Sequence, residues 1–286
     1  MKQRITNPIF NEFLKYKIIK NDLSILAGKT RDKNNLKVYK DNKSGVIFLE
    51  KYVRNLNYYS KINYKDDQKI LKNFNDYKRR FEMFKYFLRK NILDYGCGWG
   101  EFLSLIKNLK LKYGVELRLK CIDFIKKKHK NIVVSNKLSD FDMKFDTIFM
   151  FHVLEHIPSQ VQTLKTLNEK LKKNGTIIIE VPSAQDFLLT LDILPEFKKF
   201  TFWSEHLVLH TEKSLKKILK ISGFRKIKII HFQRYNLNNH LYWFTKKKPG
   251  GHFNLNNTFS KSMLTDYNSF LIKNKCTDTL IAIAKK

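Results

Sequence analysis

The residues best suited to chemistry lie in a run of alternating glycines that follows a short apolar strand. Residues 91–102 read Asn-Ile-Leu-Asp-Tyr-Gly-Cys-Gly-Trp-Gly-Glu-Phe, so that Asp94 precedes Gly96, Gly98 and Gly100. Glycine lets a backbone turn sharply and approach a ligand closely, and the N–H groups at the start of the next helix point towards that ligand. The segment therefore predicts a strand-turn-helix unit that binds a nucleotide-like cofactor.

The acidic residue and the glycine spacing narrow the class of cofactor. Asp94 stands two residues before Gly96, where a carboxylate would repel a pyrophosphate group. The spacing Gly-x-Gly-x-Gly also differs from the Gly-x-Gly-x-x-Gly of dinucleotide-binding turns. The pattern favours S-adenosylmethionine, because its sulfonium and ammonium groups are positive and it carries no phosphate.

Three segments, in order, resemble the motifs of class I S-adenosylmethionine-dependent methyltransferases. The glycine turn resembles their first motif, residues 113–117 their second strand, and residues 144–157 their fourth strand with its Leu-Glu-His signature. Glu116 follows Asp94 at the spacing of an acid that accepts the ribose hydroxyls. For His152 the alternative is structural packing at the end of its strand. The cofactor-binding residues that the resemblance implies are Asp94, Gly96, Gly98, Gly100, Glu116 and His152.

The candidate catalytic residues are Glu205 and His206. With Leu207 they resemble the Glu-His-Leu segment of sugar C-methyltransferases, and this resemblance implies acid-base roles for both. A histidine that takes the proton of an acceptor hydroxyl typically contributes ~10²–10⁴-fold to the rate. Trp203 stands where those enzymes tend to carry tyrosine, which argues against a phenolic contribution and against C-methylation. The alternative for His206 is a helix-capping or core position.

Residues 232–278 form a long insertion before the last strand and are the candidate acceptor-binding segment. They combine amides, aromatic residues and Arg234 with three lysines and the glycine turn at 249–252. Amides and aromatic faces suit a sugar ring, whereas lysines beside a glycine turn suit a phosphate. The combination resembles the acceptor loop of methyltransferases encoded with bacterial surface-polysaccharide enzymes, which implies a sugar or sugar-nucleotide substrate. A plain surface lid is the alternative.

Residues 1–65 are predicted to form a leader that contains a β-hairpin. Apolar stretches at 36–39 and 46–49 flank a turn rich in turn-forming residues. The stretch resembles the N-terminal zinc ribbon of sugar methyltransferases, with Asp41 and Ser44 in the places of two cysteines. Serine is a poor zinc ligand, so the sequence predicts no metal site. An unrelated hairpin is the alternative.

Alternating strands and helices predict an α/β, Rossmann-like class I methyltransferase fold over residues 66–286. It has a mostly parallel seven-stranded sheet with helices on both faces. An amphipathic helix over 70–88 should pack before the first strand. The strands are expected near 91–95, 113–117, 132–134, 145–151, 175–181, 225–231 and 280–284. The edge formed by the carboxyl ends of these strands collects Asp94, Glu116, His152, Glu155, His156 and Ser183.

The net charge of +30 is spread over the whole chain. Only nine of the 56 basic residues are arginine, which supplies most bidentate phosphate and guanine contacts. No module for RNA recognition is present, so nucleic acid is not the expected partner. The sequence contains neither a bilayer-length apolar run nor a signal peptide, and its three cysteines are far apart. These features predict a cytoplasmic protein with reduced thiols.

Three functions remain open at this point. The first choice is methyl transfer from S-adenosylmethionine to a sugar or sugar nucleotide in surface-glycan biosynthesis. A quinone-type or other small-molecule O-methyltransferase would have an apolar acceptor pocket and no phosphate-binding loop. An RNA-binding or RNA-modifying protein would carry a lysine stripe that runs to the cofactor site. The acceptor atom and the oligomeric state are not determined by the sequence.

Overall fold

The computed structural model describes residues 5–53, 76–255 and 258–286, and their strands form two sheets. In chain order these strands are β1 (Leu23–Ala27), β2 (Val38–Asp41), β3 (Ile47–Leu49), β4 (Ile92–Tyr95), β5 (Lys112–Val115), β6 (Ile132–Ser135), β7 (Phe145–Phe151), β8 (Leu171–Pro182), β9 (Val208–Leu209), β10 (Arg225–Phe232) and β11 (Thr279–Lys285). The central sheet has the order β10-β11-β8-β7-β4-β5-β6. Its strands β4 to β8 pair in parallel, whereas β11 pairs antiparallel with both β8 and β10. The predicted mostly parallel seven-stranded sheet is confirmed.

Helices pack on both faces of this sheet. The α-helices of the described part of the chain are α1 (Pro8–Lys15), α2 (Asp76–Phe84), α3 (Glu101–Leu105), α4 (Leu119–Lys128), α5 (Gln160–Lys170), α6 (Phe187–Thr190), α7 (Pro195–Thr201), α8 (Glu212–Ile221), α9 (Leu237–Lys246), α10 (Gly251–Asn254) and α11 (Lys261–Lys273). Ile148 and Met150 of β7 lie in one apolar core with α5 and α8, whereas Phe149 lies in the other with α2, α3 and α4. Successive residues of a strand point to opposite faces, so one strand supplies both cores.

Two predicted features extend beyond the residues that the structure describes. The amphipathic helix expected over 70–88 is seen from residue 76 as α2, followed by a 3-10 turn over Lys85–Phe87, and its first six positions lie outside the described residues. The proposed boundary between the leader and the main domain, at 65, also lies outside them. No helix among the described residues is long and apolar enough to cross a membrane.

The predicted N-terminal hairpin is present as β2 and β3, which pair antiparallel with Val38 opposite Leu49. They belong to a four-stranded sheet of order β1-β2-β3-β9. Because β9 follows the predicted catalytic segment, the N-terminal strands pack directly against the end of that segment. Ile47 and Phe48 of β3 lie opposite Leu209 and Val208 of β9.

Asp41 organises the turn of this hairpin. Its carboxylate accepts hydrogen bonds from the backbone amides of Lys20, Asp22 and Ser44 and from the Ser44 hydroxyl, at 2.6–3.1 Å. Burial alone would raise the pKa of Asp41, but these hydrogen bonds lower it below its ordinary value. Asp41 and Ser44 therefore stabilise the turn through each other and through the backbone.

Asn7 connects the N-terminal segment to the predicted catalytic segment. Its side-chain Nδ2 donates to the carbonyl oxygens of Leu49, at 2.9 Å, and Leu207, at 3.0 Å, while its Oδ1 accepts from Ile9 and caps α1. Leu207 in turn donates its backbone N–H to the carbonyl of Glu155, at 2.9 Å. One buried amide thus fixes the distance between β3 and the segment that carries His206.

We expect Asn7→Ala to lower the free energy of unfolding by about 2–4 kcal/mol, because the carbonyls of Leu49 and Leu207 each lose one buried hydrogen bond and α1 loses its cap. Urea unfolding followed by circular dichroism measures the change. The exposed Asn108→Ala serves as the control and should change stability by less than about 0.5 kcal/mol. Equal stability of the two variants would contradict this account of the N-terminal contacts.

Candidate active site

The predicted cofactor turn follows β4, at the point where the strand order of the central sheet reverses. Strand β4 has β5 on one side and β7 on the other, with Asp94 opposite Gly114 and Phe149. Open α/β sheets bind ligands beyond the carboxyl ends of their strands at such a switch point. Asp94 and the glycine turn therefore lie at the edge of the sheet where such folds bind ligands.

The three glycines adopt left-handed backbone conformations, with φ of 84° at Gly96, 59° at Gly98 and 82° at Gly100. A Cβ atom on Gly96 would stand 2.3 Å from Cγ2 of Val153, which no side chain could tolerate without movement. The amide of Gly98 donates to Oε2 of Glu116 at 2.9 Å. The turn thus requires glycine for both conformation and space.

Asp94 is a buried carboxylate with an unused acceptor atom. Only 3% of the residue is exposed, and its Oδ1 has no hydrogen-bond partner within residues 5–53, 76–255 and 258–286. Burial raises the pKa of Asp94 to about 7, with Arg80 opposing the rise and the charges of Glu116 and Glu101 adding to it. A buried acceptor without a partner is costly. A ligand that brings a cation or hydroxyl donors to this position would remove that cost, so the residues present fit S-adenosylmethionine.

Glu116 is the first residue beyond β5 and forms the second side of the cofactor site. Its carboxylate accepts hydrogen bonds from the Gly98 amide and from the Arg118 amide and guanidinium, the Arg118 bonds being 3.0–3.3 Å long. These bonds fix the carboxylate beside the glycine turn. A carboxylate has about four acceptor positions, and these four bonds use them, so hydroxyl donors of a ribose would have to displace the Arg118 guanidinium.

His152 lies between two buried carboxylates. Its Nδ1 is 3.2 Å from Oε1 of Glu155 and its Nε2 is 3.1 Å from Oε1 of Glu180. Burial alone would lower the pKa of His152, but the hydrogen bonds to these two acids raise it above its ordinary value. His152 also has a left-handed backbone, with φ of 54°. A direct contact between His152 and the cofactor remains a prediction.

Sequence reasoning missed the acid at the centre of this charged cluster, Glu180. It is fully buried in β8 and accepts hydrogen bonds from Arg79 at 2.9 Å and Arg80 at 2.7 Å, both on α2. Burial alone would raise the pKa of Glu180, but Arg80, His152 and Arg79 hold it well below its ordinary value. A signal was available: Glu180 interrupts the apolar run 177–181, and a buried charge requires partners.

The structure brings the predicted catalytic segment onto the turn that follows β7. The His206 ring lies 4.9 Å from the His156 ring and 5.2 Å from the Trp203 ring, measured between centroids. Nδ1 of His156 is 2.9 Å from the backbone carbonyl oxygen of Glu205. His206 therefore lies beside Glu155 and His156, at the same edge of the sheet as the cofactor turn.

The imidazole of His206 is held in its neutral form. Burial lowers the pKa of His206 to about 3, and the nearby His156 adds to this effect. Burial would raise the pKa of Glu155, but the hydrogen bond from His152 and the neighbouring histidines lower it to about 2. At neutral pH the cluster contains an ionised carboxylate beside a neutral imidazole. A nitrogen of such low proton affinity is a weak general base.

The insertion is helical, and several of its polar and aromatic residues are used internally. Gln233 donates to Asp278 at 3.0 Å, His240 contacts the Tyr267 hydroxyl at 2.7 Å, and the buried Trp243 packs into the core. Arg234, in contrast, contacts residues outside the insertion. Its guanidinium pairs with Asp76 on α2 and lies 3.2 Å from Nε2 of His152. The insertion thus contacts the charged cluster through Arg234.

Comparison with known proteins agrees with the fold and with S-adenosylmethionine as the cofactor. The family model of a methyltransferase domain matches residues 58–229, more than half of the chain, so the chain belongs to this family. A solved S-adenosylmethionine-dependent methyltransferase from Archaeoglobus fulgidus is 25% identical and superposes with a TM-score of 0.53, covering 79% of this chain and all of the other. The matched region is an S-adenosylmethionine-dependent methyltransferase domain.

Two further similarities are more limited. A chain from the solved complex between the Haloferax volcanii Trm112 methyltransferase activator and a candidate methyltransferase has a TM-score of 0.57 and 11% identity, over 82% of this chain and 98% of the other. That likeness shows the fold alone. An uncharacterized protein from Methanocaldococcus jannaschii is 30% identical over 135 residues, which are 47% of this chain. The match covers 57% of the length of that relative.

The affinity for S-adenosylhomocysteine should fall about tenfold from pH 8 to about pH 6. The reason is that Asp94, with a pKa of about 7, gains a proton over this range and loses the charge that attracts the ligand ammonium group. Higher pH therefore favours binding. Calorimetric titration at each pH measures the effect.

Asp94→Asn should bind weakly at both pH values and show little dependence on pH, whereas Asp123→Asn, at an exposed position of α4, should behave as the wild type. A pH dependence in Asp94→Asn as steep as that of the wild type would assign the titration to another group.

Proposed function

We propose that this protein transfers the methyl group of S-adenosylmethionine to a hydroxyl of a sugar or sugar nucleotide that serves surface-glycan biosynthesis. One observation carries the choice of a polar acceptor: Glu155 and His156, on the turn after β7, meet His206 of the loop between α7 and β9, beside the strand that holds Asp94. An apolar, quinone-type acceptor would leave Oε2 of Glu155 and Nδ1 of His206 unsatisfied, since neither atom has a hydrogen-bond partner among the described residues. Arg234, which lies beside His152, adds a fixed positive charge near the same edge.

The chain contributes binding, orientation and proton removal to this reaction. Asp94, Glu116 and the glycine turn hold the cofactor, which supplies a methyl group already activated on a sulfonium. Much of the remaining barrier is a matter of placing the acceptor oxygen about 3–3.5 Å from the methyl carbon. The proton of the acceptor hydroxyl must also leave as the oxygen attacks.

We propose that His206 acts on the acceptor hydroxyl, as the sequence predicted, and that Glu205 positions it. The support for Glu205 comes from its backbone, because its carbonyl oxygen accepts from His156 and so aligns the two histidine rings. The low proton affinity of His206 limits what it can do as a free base. Efficient proton removal at this position would need a second group that acidifies the hydroxyl.

The compartment proposed for this reaction is the cytoplasm. None of the three cysteines, Cys97, Cys121 and Cys276, forms a disulfide bond, as is typical of proteins from a reducing environment. Two of them are buried. The burial of Cys97 raises its pKa well above the ordinary value, so this thiol is a poor nucleophile.

Release of S-adenosylhomocysteine in the presence of a panel of sugar nucleotides tests the proposed substrate class, with mass spectrometry and NMR locating the added methyl group. Parallel reactions with catechols and quinols, and with short RNAs, test the other two classes. Turnover with one of those panels, and with no sugar nucleotide, would overturn the proposal.

His206→Ala should reduce turnover by about 100-fold or more and leave the affinity for S-adenosylhomocysteine nearly unchanged, because the cofactor residues lie on β4 and beyond β5. Single-turnover assays measure the first quantity and calorimetry the second. Glu205→Gln should lose less activity than His206→Ala, because its backbone carbonyl is retained. Methyl transfer by His206→Ala at the wild-type rate would assign His206 a structural role.

A further inference from the structure

We propose that Glu155, His156 and His206 form a binding site for a divalent transition-metal ion. Each residue offers one ligand atom, and these three atoms lie within 4.8 Å of one another. The proposal deepens the proposed function, on which it rests for the role of the ion, but binding of the ion can be measured without any acceptor.

His156 has the arrangement of a metal-binding histidine. A carbonyl oxygen only accepts hydrogen bonds, so the contact of 2.9 Å between Nδ1 of His156 and the Glu205 carbonyl means that Nδ1 carries the proton. In the neutral ring the lone pair is then on Nε2, which lies 4.0 Å from Oε1 of Glu155. A hydrogen bond from the other ring nitrogen to a carbonyl is the usual support of a histidine that binds a metal.

Glu155 and His206 each keep a buried polar atom that no described residue contacts by a hydrogen bond. Glu155 is fully buried, and while its Oε1 accepts from His152, its Oε2 has no partner in the described part of the chain. Nδ1 of His206 has no partner among the described residues either. Leaving such a group unsatisfied is unfavourable, and more so when the group is charged. A cation between the two residues would be stabilised by the carboxylate charge and by an imidazole lone pair.

The dimensions of the cluster suit a metal ion after a small rearrangement. Bonds of about 2.1 Å in a tetrahedral arrangement place neighbouring ligand atoms about 3.4 Å apart. The observed limit of 4.8 Å then requires the most distant ligand atoms to approach each other by up to about 1.4 Å. His206 lies in the loop between α7 and β9, where such a movement does not disturb a helix or strand.

The donor set indicates the type of metal. Two imidazoles and one carboxylate suit Zn²⁺, Mn²⁺, Fe²⁺ or Co²⁺, whereas Mg²⁺ and Ca²⁺ prefer oxygen ligands throughout. Three protein ligands also leave a coordination position open, as in catalytic zinc sites. This site differs from the metal that the zinc-ribbon resemblance would have placed in the N-terminal hairpin, and it departs from the sequence-based prediction that the protein has no metal site.

A bound ion would supply an acidifying group for the acceptor hydroxyl at this position. Coordination of the acceptor hydroxyl oxygen lowers the pKa of that hydroxyl, so its proton can pass to water near neutral pH. The oxygen then forms a bond to the methyl carbon, the bond between that carbon and the sulfonium sulfur breaks, and S-adenosylhomocysteine leaves. A ring nitrogen of His206 that binds the ion cannot also accept the proton, so this role replaces that of a free base.

The test is Co²⁺ and Zn²⁺ binding by the full chain after removal of metals with a chelator. Calorimetry should show one site per chain, and Co²⁺ should give the visible absorption of a four-coordinate ion with nitrogen ligands. His206→Ala and Glu155→Gln should each weaken Co²⁺ binding by about 100-fold or more. His129→Ala, at the end of α4 and remote from the three ligands in sequence, is the matched control and should bind as the wild type.

Binding of S-adenosylhomocysteine by a variant shows that the variant is folded. This control matters most for Glu155→Gln, because Glu155 is fully buried. If folded His206→Ala binds Co²⁺ as tightly as the wild type, or if the wild type binds no Co²⁺ or Zn²⁺, the metal site is overturned. Failure of every sugar nucleotide to react would overturn the proposed substrate while leaving a measured metal site intact. The two proposals can therefore fail separately.

Discussion

The buried carboxylate of Glu180 is the constraint on which the active-site edge depends. A charge in the middle of a fully buried strand is tolerated only with close partners, and Arg79, Arg80 and His152 supply them. The arginines fix α2 against the sheet. His152, which contacts Glu180 through Nε2, also contacts Glu155 through Nδ1, at 3.2 Å. One buried acid thus determines where a helix, a strand end and the carboxylate of the proposed metal site lie.

The same cluster extends to the insertion before the last strand. Arg234 pairs with Asp76, and Asp76 also pairs with Arg79, so the insertion and α2 share one set of charges. Burial alone would raise the pKa of Asp76, but Arg234, Arg80 and Arg79 lower it below its ordinary value. The cluster contains nearly equal numbers of acidic and basic side chains. Removal of a single member would leave an uncompensated buried charge, which is strongly destabilising.

The predicted catalytic segment is positioned by contacts from two distant parts of the chain. On one side Asn7 binds the Leu207 carbonyl, and on the other side the Leu207 amide binds the Glu155 carbonyl. The Glu205 carbonyl orients His156. The N-terminal segment is therefore part of the framework that brings His206 to the carboxyl ends of the central strands.

The sequence by itself determined the sheet and the glycine turn, because both follow from local rules. A left-handed backbone at Gly96 requires glycine, and the alternation of apolar strands with helices specifies a parallel sheet. Only the tertiary structure decided which side chains meet. Neighbours in sequence do not reveal that Glu180 binds two arginines of α2, or that His206 joins Glu155 across about fifty residues. These pairings depend on how distant elements pack, since a buried charge or imidazole takes whichever partner the folded chain brings within reach.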